Sequence, residues 1–517
     1  MIKAQGRIAL LLMMFCTLGS SVYAALPAGF SPERIRKAAV ATFPEFLEFL
    51  ALPNDSSIAA DIKINASWLE AAFQRRGFHT KQLSNGDHPL VFAEYESNNA
   101  GQKTVLFYMH FDGQPVIPTQ WSQTSPWKPV VKARGKDGKW REVDKSELMR
   151  SDFDPELRIF GRASSDDKGP IMMFLADFDL LRTNGVKPKV NVKVILDSQE
   201  EVNSPGMPSV VKSYAQDLRA DALVIHDAAA HPSGRPTAVF GNRGSTAVTL
   251  TIFGPKAPLH SGHYGNYAPN PALRLAVLLA SMKGDDGAVI IDGYYERTHL
   301  SEADRKILSE SGDDEVALRT RIGIRSRDNV GGNLQEALQY PSLNIRGLAA
   351  ASVGDKVAGV IPHVAIAEID IRSTVESDSG WLVGKLRSHI QKHGYFLVDD
   401  EPTDDQRQQY DKIARLKVGQ AAEAARQEIN SPIGDWVTAG LANAYSGSDS
   451  AMKPVRLRMM GATVPTHEIV TPLEMPFVLV PVVNADNNQH TFDENLKMNN
   501  YLTGMLSMLG LLLQTFP

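Results

Sequence analysis

The sequence predicts an α/β fold, a mainly parallel sheet flanked by helices, with a second α+β domain inserted into it. Three observations carry this. Between residues 85 and 230, continuous apolar runs alternate with helical patterns, as strands buried on both faces of a parallel sheet require. Near Ala238 the pattern becomes a period-two alternation rich in Thr and Val, suited to a half-exposed antiparallel sheet. Beyond residue 400, helical patterns and the apolar run FVLVPVV (477–483) return. The expected divisions are therefore 1–24, 25–237, 238–400 and 401–517.

Residues 1–24 carry Lys3 and Arg7, an apolar stretch from Ile8 to Leu18, and Val22 and Ala24 placed for cleavage after Ala24. This pattern reads as a secretory signal peptide, too short and wrongly flanked for a membrane span. Export to the periplasm or the medium is the expectation, with no membrane association after cleavage. Pro32–Leu52 reads as a helix with Ser31 as N-cap and Pro32 at its first position. Ser57–Gly77 reads as a second helix. Strands are expected at 89–96, 104–112, 190–202 and 221–229, with a long surface excursion at 118–158. Residues 363–374 read as a strand of the inserted domain, 283–339 show no core pattern, and 411–446 read as helices.

Cys16 is the only cysteine and falls in the leader, so a metal site in the mature chain must use His and carboxylates. Loss of Lys3 and Arg7 takes the formal charge from −5 to −7, which argues against nucleic-acid binding. A mature chain of about 490 residues exceeds one core, hence two domains.

The apolar runs end in a consistent way. TVLFYMHFD delivers His110 and Asp112, and IFGRASSDDKGP delivers Asp166 and Asp167. VNVKVILDSQEEV delivers Glu200 and Glu201, DALVIHDAA delivers His226 and Asp227, and His490 follows the last strand. Strand carboxyl ends are where open α/β sheets place chemistry. His110, Asp166, Glu201, Asp227 and His490 form a nitrogen and oxygen donor set of the kind two-metal hydrolases use.

These residues resemble the M20 family of metallopeptidases. The family's H-x-D pattern is matched by His110-Phe-Asp112, and its G-R-G-x-x-D-x-K-G pattern by Gly161 to Gly169. The E-E pair is Glu200-Glu201, and the late H-x-x-x-E is His490 to Glu494. Pro258-Leu-His260-Ser-Gly262 and Gly461-Ala-Thr463-Val-Pro465 match patterns of the inserted domain and of a dipeptidase pocket loop. The resemblance implies a catalytic domain in two parts, 25–237 and 401–517, and a lid and dimerisation domain at 238–400. It implies two divalent ions, zinc with manganese or cobalt as alternatives. His110 and Asp227 would hold one, Glu201 and His490 the other, and Asp166, followed by a cis peptide, would bridge them. Asp112 would fix the His110 tautomer, Glu200 would be the general base, and His260 would steady the oxyanion in the partner subunit of a homodimer. Arg372, Gly461 and Thr463 would contact substrate.

Three departures from the family pattern stand out. Ala163 stands where a glycine is usual, Ala462 replaces a second glycine, and Ala358-Gly359 replace polar residues. None removes a ligand or the base. The implied activity is hydrolysis of dipeptides or short peptides. Hydrolysis of N-acyl amino acids is the alternative, and a binding protein of the same fold is the reading from another class.

Overall fold

The computed structural model describes residues 26, 28–95, 101–446 and 452–517, so the leader expected at 1–24 lies outside the described residues. Eight strands form the main sheet, in the spatial order Phe78–Leu83, Leu90–Tyr95, Asn191–Asp197, Thr104–His110, Ala222–Ile225, Phe477–Leu479, Thr237–Val239, Val455–Leu457. The central four run parallel to one another. The Thr104–His110 strand serves both cores by simple alternation. Val105, Phe107 and Met109 face one layer of helices, and Leu106 and Tyr108 face the other. That double burial is why its sequence is an uninterrupted apolar run.

The first layer holds the helices Pro32–Leu50, Lys168–Thr183 and Met498–Leu512. Ser31 caps the first of these, its hydroxyl accepting from Arg34 N, with Pro32 at the start, as the sequence pattern requires. Phe43, Phe46 and Tyr501 pack ring against ring between the first and last of these helices. Full burial of side chains of this size stabilises by roughly 1.5–3 kcal/mol each. Among the described residues no helix is long and apolar enough to cross a membrane.

A separate five-stranded sheet has the order Ser342–Ala349, Val364–Ser373, Gly244–Phe253, Ile413–Ala422, Phe396–Val398. Burial alternates strictly along Val364–Ser373. Ala365, Ala367, Ile369 and Ile371 join a core with the helices Pro271–Ala280 and Ser379–Lys392, and Glu368, Asp370 and Arg372 occupy the other face.

Three local readings are corrected. Residues 413–422, expected to be helical, form a strand of this second sheet, so that sheet extends past residue 400. Its ARLKVGQAA sequence favours helix, but pairing along Gly244–Phe253 overrides that preference. The 118–158 segment is not a loose excursion. Val130–Arg134 and Trp140–Val143 join Arg158–Phe160 and Asn495–Lys497 in a four-stranded antiparallel sheet, with Val131 and Leu148 fully buried. Asp166 therefore leaves this smaller sheet, not the parallel one. Residues 283–339, which lack a periodic pattern, contain the short helices Glu302–Ser309, Glu315–Ile322 and Leu334–Ala337 and bury Ile291, Tyr294 and Leu308.

Candidate active site

His110 ends its strand fully buried, and Asp112 follows it. His110 Nδ1 lies 3.3 Å from Asp112 Oδ1, which fixes the ring and leaves Nε2 to face the site. Asp112 also accepts from the backbone N–H of Glu200 and of Glu201, both at 3.1 Å. One carboxylate thus joins two neighbouring strand ends. The Glu200–Val202 turn is further held through Asp197, which accepts from Tyr108 Oη at 3.0 Å and from the Ser204 hydroxyl.

Asp166 arrives on the loop after Arg158–Phe160, with a cis peptide to Asp167. Its Oδ1 lies 2.9 Å from His110 Nε2 and its Oδ2 3.1 Å from His490 Nε2. His490 Nε2 is also 3.1 Å from Glu201 Oε2, and Asp227 Oδ2 lies 3.9 Å from His110 Nε2. Two donor groups result, His110–Glu200–Asp227 and Asp166–Glu201–His490, each with its ligand atoms within 4.8 Å of one another. Asp166 touches the histidine of both.

The electrostatics of this cluster fit divalent cations. Burial, reinforced by Asp227, Glu201 and Asp166, pushes Glu200 well above the usual carboxylate range. Burial and the charge of Asp166 raise Glu201 to about 7, and burial raises Asp227 to about 6. Hydrogen bonds to Asp166 and Glu201 push His490 up to about 11. Burial opposes a charge on His110, yet Asp112 and Asp166 still raise it. Four carboxylates converge on two imidazoles, a nitrogen and oxygen donor set whose crowded negative charge suits divalent cations.

His226, which shares its strand end with Asp227, has another role. Its ring stacks on Phe107 at 5.7 Å, Nδ1 donates to Val480 O at 3.0 Å, and burial lowers its pKa to about 4. It is a core histidine.

Arg372 and Thr463 meet: Arg372 Nη1 donates to Thr463 Oγ1 at 2.9 Å and Nε to Asp370 at 3.0 Å. The Gly461–Thr463 loop is pinned by Arg243 N, which donates to Ala462 O at 3.2 Å, and by Met460 N, which donates to Gly241 O at 2.9 Å. His260 stands elsewhere. It is exposed on the inserted layer, its Nδ1 accepting from Gly262 N and its ring 4.4 Å from that of His263.

Sequence reasoning missed Gln114, whose Nε2 donates to Glu201 Oε2 at 2.8 Å. It is not a metal ligand type, so a search for acids and imidazoles passes over it. The position of Gln114 four residues after His110, in the same strand-end loop, was the available signal.

The profile of peptidase family M20/M25/M40 matches residues 106–514. The Cys-Gly metallodipeptidase dug1 of Schizosaccharomyces pombe is 24% identical over 446 residues, covering 84% of this chain and 85% of its own. The Beta-Ala-His dipeptidase of Rattus norvegicus is 23% identical over 433 residues, covering 80% of this chain and 77% of its own. The crystal structure of an M20 family metallo-carboxypeptidase from Sulfolobus solfataricus superposes with a TM-score of 0.73 at 24% identity. That match covers 91% of this chain and 98% of the other, and it is a likeness of fold.

Proposed function

The chain belongs to peptidase family M20/M25/M40 and is a hydrolase, and we propose that it is an exported, metal-dependent dipeptidase. The observation that carries this reading is the pair of adjoining donor groups joined through Asp166, with the Glu200 carboxylate facing into one of them. The names of the relatives, a Cys-Gly metallodipeptidase and a Beta-Ala-His dipeptidase, favour dipeptides as the substrate class.

His110 and Asp227 would hold one ion, Glu201 and His490 the other, with Asp166 between them, and zinc is the ion that the donor chemistry suits best. Bound divalent ions supply Lewis acidity toward the scissile carbonyl and lower the pKa of water toward ~7. The protein's own residues do the rest. Glu200 takes the proton of the attacking water on its carboxylate and returns it to the leaving amine. Asp112 keeps His110 in one tautomer. The Arg372 guanidinium, held by Thr463, would pair with the free carboxylate of the substrate. His260, exposed on the inserted layer, would complete the site of a partner subunit in a homodimer.

The test is amine release from a panel of dipeptides and N-acyl amino acids by the zinc-loaded chain, with Glu200→Gln alongside. Dipeptide turnover that the variant abolishes is the expected result. Turnover of acyl amino acids alone would reassign the protein as a deacylase.

A further inference from the structure

Histidine ligands of the two donor groups are anchored very differently. His110 is fully buried and held at Nδ1 by Asp112. The side chain of His490 is 54% exposed, on a loop where its backbone sits in the left-handed region at φ 62°. The Asp166–Glu201–His490 group therefore depends more on how its carboxylates are fixed. Glu201 is a long side chain, and its Oε2 is shared between His490 Nε2 and Gln114 Nε2. Gln114 Nε2 also reaches the Glu201 carbonyl at 3.3 Å.

Gln114 is itself aimed from behind. Asn54, fully buried in the connection between the first two helices, donates from Nδ2 to Phe111 O at 2.7 Å and accepts Gly113 N at 2.8 Å on its carbonyl. Ser56 N donates to Gly113 O at 3.3 Å. A Cβ at position 113 would come within 3.1 Å of the Asn54 carboxamide, so glycine permits the close approach of the two loops. The connection at 53–58 thus sets the backbone from which Gln114 reaches Glu201.

We propose that Gln114 is a positioning residue for the Asp166–Glu201–His490 metal site, its neutral carboxamide orienting the Glu201 carboxylate. The inference rests on the metallopeptidase reading above. A neutral donor suits this place. A cation there would supply the charge meant for the ion, and a further carboxylate would leave Glu201 without a donor. Partners of this kind, one step removed from the metal, typically change its affinity 10–100-fold when lost.

The experiment titrates zinc into the metal-free full chain against a chromophoric chelator, for wild type, Gln114→Met, Gln114→Ala and His490→Ala. Methionine keeps the length of glutamine and removes the donor, and alanine provides a second variant should methionine perturb the loop. Wild type is expected to take up two equivalents. In both Gln114 variants one equivalent weakens about 10–100-fold and the other stays within about threefold, with the far-ultraviolet circular dichroism of the metal-free protein unchanged. The weakened equivalent is the one that His490→Ala removes. Two unaffected equivalents, or two weakened together, would overturn the proposal. A wild-type chain that binds no zinc would overturn the metallopeptidase reading as well, and is distinguishable from both of those results.

Discussion

Arg162 Nη1 lies 2.8 Å from Glu494 Oε2, an ion pair in which both side chains are buried. The same carboxylate accepts from Ala163 N, Ser165 N and Asp166 N at 2.9–3.0 Å. Glu494 is four residues from His490, so one buried group ties the Asp166 loop to the His490 loop. Removing one partner of such a pair leaves an uncompensated charge, which costs about 3–5 kcal/mol. Glu494→Ala should therefore lower the unfolding free energy in urea by about that amount. Glu494→Gln should lose less stability and still reduce zinc binding, since the amide cannot accept all four donors.

Ala163 adopts φ 61°, the conformation that the glycine usual at this place in the family would adopt freely. Ala163→Gly should raise the unfolding free energy by roughly 0.5–1 kcal/mol, the backbone relief exceeding the loss of one buried methyl. A β-branched residue there should destabilise. Thermal melts of Ala163→Gly and Ala163→Val decide between these signs.

Asp177, on the buried helix Lys168–Thr183, has no hydrogen-bond partner on either carboxylate oxygen among the described residues. Burial pushes its pKa well above the usual carboxylate value. A carboxyl with a raised folded-state pKa binds its proton more tightly when folded. Its contribution is fully present below the unfolded pKa of about 4 and is lost as pH rises through the folded value. Asp177→Asn should thus match wild type near about pH 4 and exceed it in stability near about pH 8. Urea unfolding of the metal-free proteins at both pH values is the measurement.

Chelation should abolish turnover and lower the melting temperature, because the crowded carboxylates lose their counter-charge. Zinc at a hundred times its Kd should restore about 2.7 kcal/mol of apparent stability for each site it fills, by mass action. Glu200→Gln should retain the ions and lose about 10²–10⁴ in kcat.

Much of the site could be read from the sequence, because parallel strands are apolar throughout and make a polar residue at their carboxyl ends conspicuous. His110, Glu201 and Asp227 stand out in this way. His226 stands out equally and is a core residue, since the signal marks strand ends and not the direction of a side chain. Asp166 and His490 lie on loops flanking a different, antiparallel sheet whose short strands of three to five residues carry little periodicity. Their joining through Glu494 depends on pairing across more than 300 residues, which no local pattern encodes. The strand Ile413–Ala422 reads as helix in the sequence for the converse reason: its Ala, Lys and Gln favour helix, and only its neighbour makes it a strand.

The placement of the Phe477–Leu479 strand bears on biosynthesis. It inserts between Ala222–Ile225 and Thr237–Val239, made some 240 residues earlier, and His490 and Glu494 follow it closely. A growing polypeptide that has not reached this point leaves the edge beside Asp227 unpaired and the Asp166 loop without its buried carboxylate. The candidate site is therefore complete only once synthesis has passed residue 494.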